Sequence, residues 1–143
     1  MYKAVIIFFI PFLFGCQPSE NEGTAPDLLE PIGIDRLVFE SASVEEGDSI
    51  PIGTRVYFNV KYEVASVDYS YIFVRSETCV GLENCYADIM HGSYQIENGV
   101  GIVIGWFQFD TPVTLSQVSF VMEDGVSRDV IVEQILDYSI TWE

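Results

Sequence analysis

Cys79 and Cys85 are the most closely spaced reactive pair in the chain, framing Val80-Gly-Leu-Glu-Asn84. In an oxidising compartment this spacing predicts a disulfide closing a small loop, contributing about 2 kcal/mol in the chain-entropy description. Zinc is the rival chemistry, with His91 as third ligand. The C-x5-C spacing is unlike the common zinc motifs, however, and no fourth ligand stands out. The C-x-x-C of a redox pair is absent. Because His91 is the single histidine, any Ser-His-Asp or Cys-His nucleophile would have to use it. There is no G-x-S-x-G, and a lone loop histidine reads as a solvated side chain.

Carboxylates are the most abundant functional groups. Glu45, Glu46, Asp48, Glu77, Glu83, Asp88 and Asp110 all fall in segments that read as loops. Hard oxygens of this kind suit calcium, which takes six to eight of them. No D-x-[DN]-x-[DN]-G loop gathers them, so the sequence predicts no cofactor, with calcium the metal that these loops could hold. A hydrolytic carboxylate pair is the enzymatic reading of the same residues. Aromatic residues offer a glycan reading. Trp106, Phe107 and Phe109 cluster in one run, and sugar-binding surfaces stack rings on exposed aromatics. At alternating strand positions such residues more often pack a core. Trp106 is the candidate contact.

The elements that must position these residues are strands. The chain has 143 residues, six Lys plus Arg against 22 Asp plus Glu, and a formal charge of −16. That length suits one domain. The negative charge excludes nucleic acid as a direct partner, because counterion release needs basic clusters. Hydrophobic residues make up 49%, too many for a disordered chain. From Ile34 the hydrophobic period is two. In Thr54–Val64, Val56, Phe58, Val60, Tyr62 and Val64 share one face, and Arg55, Asn59, Lys61 and Glu63 the other. Similar runs occupy Ile34–Ser41, Tyr69–Ser76, Ser93–Glu97, Val100–Phe109, Thr114–Met122 and Ser127–Trp142. Asn98-Gly99 and Glu123-Asp124-Gly125 read as hairpin turns. Val100–Phe109 is apolar on both faces, with gaps at Gly101 and Gly105, as a doubly covered or partner-docked strand would be.

Seven such runs predict an all-β, antiparallel β-sandwich of about seven strands, similar by strand count to immunoglobulin and fibronectin-III domains; a small β-barrel is the alternative. If each run crosses the domain once, residues 42–53, 77–92 and 110–112 converge at one end. Loops on a rigid scaffold commonly carry binding.

The N-terminus is an address. Lys3 precedes the apolar run Ala4–Phe14, which is too short to span a bilayer as a helix. It ends in Leu13-Phe14-Gly15-Cys16, which resembles the bacterial lipobox. That resemblance implies acylation of Cys16, removal of residues 1–15 and a lipid anchor. Diverting Cys16 to lipid leaves Cys79 and Cys85 as an even pair. The acidic Ser19-Glu20-Asn21-Glu22 is loosely similar to surface-export signals of Bacteroidota lipoproteins. The expected organisation is a signal (1–15), an acylated Cys16 with a flexible acidic stalk (16–33), and a β domain (34–143). Expected location is the bacterial outer membrane, facing the periplasm or the cell surface. The expected role is non-enzymatic: binding a protein or glycan through membrane-distal loops. The alternatives are a structural subunit of an outer-membrane complex and a glycan-active enzyme.

Overall fold

The computed structural model describes residues 27–79, the backbone of 85–89, and residues 95–143. It is all-β. The strands are β1 (Arg36–Ala42), β2 (Ser49–Ile50), β3 (Arg55–Arg75), β4 (Cys85–Ile89), β5 (Gln95–Phe109), β6 (Val113–Asp124) and β7 (Val130–Trp142), with a 3-10 turn at Glu77–Cys79. All seven belong to one curled sheet, ordered β2-β7-β6-β3-β5-β4 with β1 also on β3. Hydrogen bonding therefore links them continuously, where the strand count suggested two separate layers. Every ladder is antiparallel except the short β2–β7 pair.

The bend in β3 explains the curl. At about 3.3 Å per residue, 21 residues in a straight line would greatly outrun a domain of this size. One edge of β3 pairs with β5 along most of its length. The other edge pairs first with β1, through residues 58–63, and then with β6, through residues 70–75. The ladder to β5 slips between Val64 and Tyr69, and there the strand turns.

Two expected boundaries change for this reason. Thr54–Val64 and Tyr69–Ser76 are halves of one strand, not two. Asn98-Gly99 is likewise no hairpin: it lies inside β5, opposite the slip in β3. The Asn98 amide donates to the carbonyls of Ala65 and Val67, both at 3.2 Å, and Gly99 takes φ 139°. A dipeptide suited to a turn here lies opposite a bulge whose extra residues, 65–68, belong to β3, and the ladder resumes on both sides of Asn98. Glu123-Asp124-Gly125 does turn the chain. Asp124 Oδ1 accepts from the Val126 and Ser127 amides, and these two bonds hold its carboxyl below the usual range, more than offsetting burial.

The two halves of the curled sheet bury one core, which includes Val56, Phe58, Ile72, Phe107, Phe109, Leu115, Phe120, Ile140 and Trp142. Phe58 meets Phe107, Phe120 and Tyr138 edge-on, at 6.1, 6.3 and 5.5 Å between ring centres. The glycine gaps of β5 are filled from across the sheet. A Cβ at Gly101 would overlap the Tyr62 ring, and one at Gly105 would lie 2.9 Å from Val74 Cβ.

Candidate functional site

Three of the predicted acids, Glu45, Glu46 and Asp48, share the connection from β1 to β2, and that connection is fixed. Asp48 closes it locally, accepting the Glu45 amide at 2.9 Å while its own amide donates to the Glu45 carbonyl at 3.2 Å. Backbone bonds then lay the segment along β7: Gly47 N–H to Ser139 O at 2.7 Å and Thr141 N–H to Asp48 O at 2.9 Å. Tyr138 donates its hydroxyl to the Val44 carbonyl at 2.6 Å. Burial pushes the Tyr138 phenol up, and the nearby charges of Glu46, Asp48 and Glu45 add to that. The acids thus sit beside one end of β7 as a held negative patch. Tyr138, which anchors them, reads in sequence only as another alternating aromatic.

The other predicted residues do not gather there. Asp110 is exposed on the β5–β6 turn and accepts from Gln108 at 3.3 Å. The adjoining Phe109 carbonyl accepts the Gly53 amide at 2.8 Å, which joins two of the three segments expected to converge. Glu77 opens the 3-10 turn, where Ser76 Oγ donates to the Gln117 carbonyl at 2.5 Å. Asp88 lies in β4 opposite Trp106. The side chains of Asp88 and Cys85, and all of Glu83 and His91, lie outside the described residues. Cys79 is disulfide-bonded. Among the described residues no three His, Cys, Asp or Glu side chains form a group able to hold a metal ion. Trp106 is half-buried, and the Arg55 guanidinium lies 3.9 Å over its ring. That ring face carries a cation–π contact in place of an open sugar-stacking surface.

An open groove of about 430 Å³ runs over the outer face of β6, lined by Glu77, Glu133, Arg75, Ser76, Gln117, Ser119 and Ile135. It holds two carboxylates, but Arg75 binds Glu133 at 2.8 Å. That hydrogen bond, against burial, keeps the Glu133 carboxyl below its ordinary range. A general acid needs the opposite shift.

Alternation also concealed Glu63. It stands on the outer face of β3 yet is 3% exposed, because the segment leading into β1 covers it. Its Oε1 accepts the amides of Ile32 and Gly33 at 2.8 and 2.7 Å, and its Oε2 takes Arg36 Nε at 3.0 Å. Asp35 Oδ1 accepts the amides of Ala65 and Ser66 at 2.7 and 3.1 Å. The stretch assigned to the stalk is therefore bound to the sheet at Ile32 and Gly33. No single-strand period signals such a clamp, since its partners lie some 30 residues upstream.

Every lysine and arginine among the described residues has an internal partner. Arg36 is on Glu63, Lys61 on Glu40 and Asp27, Arg75 on Glu133, and Arg128 on Glu123 and the Tyr71 ring; Arg55 is on Trp106. The outward charge is that of the remaining acids. Fold and site together define an all-β, single-sheet protein with an acidic segment pinned along one strand. No family model, curated protein or solved structure matches the chain.

Proposed function

We propose that this is a lipid-anchored protein of the bacterial cell envelope whose β domain is a binding module for a protein or glycan. The observation that carries the binding reading is the fixation of Glu45, Glu46 and Asp48 against β7. A ligand meeting a pre-ordered acidic surface pays little ordering entropy. The anchoring half rests on the lipobox-like Leu13-Phe14-Gly15-Cys16; among the described residues no helix is long and apolar enough to cross a membrane. Losing the signal would leave five basic against 22 acidic residues, a formal −17. The groove beside Glu77 and Glu133 is the place for the enzymatic alternative, and the ionised, Arg-bound state of Glu133 weighs against it.

Expressed in its own host, the chain is expected to incorporate labelled palmitate, and Cys16→Ser to abolish the label. Protease added to intact cells distinguishes a surface domain, which is digested, from a periplasmic one, digested only after lysis. Label retained in Cys16→Ser would remove the anchor reading. We further propose that Cys79 pairs with Cys85. Non-reducing peptide mapping should yield one cross-linked peptide holding both cysteines, and a free thiol at Cys85 would exclude the pair.

A further inference from the structure

We propose that the free edge of β7, residues 130–138, is a strand-addition site for an extended segment of a partner protein that alternates basic and aliphatic residues. One edge of β7 is paired with β6 from Val130 to Trp142. The other is covered only at its end: β2 pairs with Thr141 and Trp142, and Gly47 donates to Ser139 O. Below that point, among the described residues, no backbone hydrogen bond is made on the outer edge of 130–138, although β1 approaches its upper end through the Phe39–Tyr138 ring contact at 5.9 Å. The peptide groups on that side are open to a new strand.

The usual protections of an edge are missing. The segment Val-Ile-Val-Glu-Gln-Ile-Leu-Asp-Tyr has no proline, glycine or lysine. Its ladder to β6 is regular between Val132 and Asp137, and the register shifts fall outside that stretch, at Ile131 and at Tyr138–Ser139. Val130 and Ile135 are 52% and 55% exposed. What does mark the edge is charge of one sign. Asp129 and Asp137 lie on it, and Glu45, Glu46 and Asp48 flank it at the Tyr138 end. The two nearby cations are already engaged, Arg75 by Glu133 and Arg128 by Glu123. A second copy of the chain would set the same acids against this edge, and like charges across a ladder destabilise it. The complementary occupant is basic.

Strand alternation refines the motif. Glu133, Ile135 and Asp137 project from one face of β7, and Val132, Gln134 and Leu136 from the other. The partner strand then reads basic, apolar, aliphatic, apolar, basic, as in Lys-Val-Ile-Val-Lys, with one lysine meeting Asp137 and the other sharing Glu133 with Arg75. This inference deepens the binding reading above and rests on it. It does not depend on the lipid anchor, so a failed palmitate label and a failed strand addition are separate results.

The test uses the full chain in detergent and a dye-labelled peptide containing Lys-Val-Ile-Val-Lys. Its control replaces the central isoleucine with proline, which keeps the charge and removes the strand. The first peptide is expected to bind and to slow amide exchange in 130–138 by about tenfold or more, with the proline peptide doing neither. Ile135→Lys, at an exposed position, should weaken binding by about tenfold through repulsion and lost contact. Equal binding of both peptides would reduce the effect to charge and overturn the proposal. So would protection confined to other segments. Outer-edge amides that already exchange as slowly as those of β6 in the free chain would show the edge to be covered, by its own residues if dilution changes nothing and by a second copy if dilution releases it; either result overturns the proposal.

Discussion

Phe58→Ala is expected to lower the thermal midpoint by on the order of 15 °C, the largest effect of any single truncation in the domain. Phe58 is fully buried in the first half of β3. It touches Phe107 on β5, Phe120 on β6 and Tyr138 on β7, so one ring ties three strands from both halves of the curl. Gly105 faces it across the ladder, and no Cβ there can fill the space the ring leaves. Truncating a buried phenylalanine costs about 3–5 kcal/mol, and domains have only about 5–15 to lose. Val126→Ala, at a position 80% exposed, is the control and should change stability by less than about 0.5 kcal/mol. Thermal melts of both variants decide the matter. A Phe58→Ala midpoint within a few degrees of the parent would mean that the halves of the sheet do not share one core.

Phe58 also marks what the sequence makes legible. Alternation places it inward with Val56 and Val60, and all three are buried. Strand class and inward faces follow from a local period, and those are recovered. Which strands are continuous does not follow from it. The residues between Val64 and Tyr69 break the period, as a loop would, yet remain extended because β5 and Asn98 hold them. β2 has two residues, too few for any period, and exists because the acidic connection lies along β7. The same limit applies to the site. Glu45, Glu46 and Asp48 are identifiable as loop acids, but their fixation depends on Tyr138, some 90 residues away. Counting strands could not separate two stacked sheets from one that curls, since a single long bent strand converts one into the other.

Glu63 shows the same non-local logic and supports the second large prediction. Glu63→Leu removes the acceptor for two amides and the partner of Arg36, leaving three part-buried donors without their bond and releasing the segment that they hold. Breaking a buried pair from one side is among the most destabilising kinds of change, and a midpoint drop of roughly ten degrees is expected at neutral pH. Glu63→Gln separates geometry from charge, because an amide oxygen can still accept from Ile32 and Gly33. The pH dependence follows from the direction of the shift. Burial alone would raise the Glu63 carboxyl. The amides of Gly33 and Ile32 and the charge of Arg36 outweigh it and hold the group below its ordinary 4.5. A carboxyl lowered on folding stabilises the fold above its unfolded value. That contribution is lost as pH falls from about 4.5 through the lower folded value. The parent should therefore lose stability on acidification more steeply than Glu63→Gln, with the two curves converging once the carboxylate is protonated. Asp35, Asp124 and Glu133 are shifted the same way and contribute equally to both curves, so the difference between them belongs to Glu63. Parallel curves would show that the clamp works through shape alone. The amides of Ile32 and Gly33 should also exchange faster in Glu63→Leu than those of β6. That outcome would place the first loss of order where the segment leading into β1 joins the sheet.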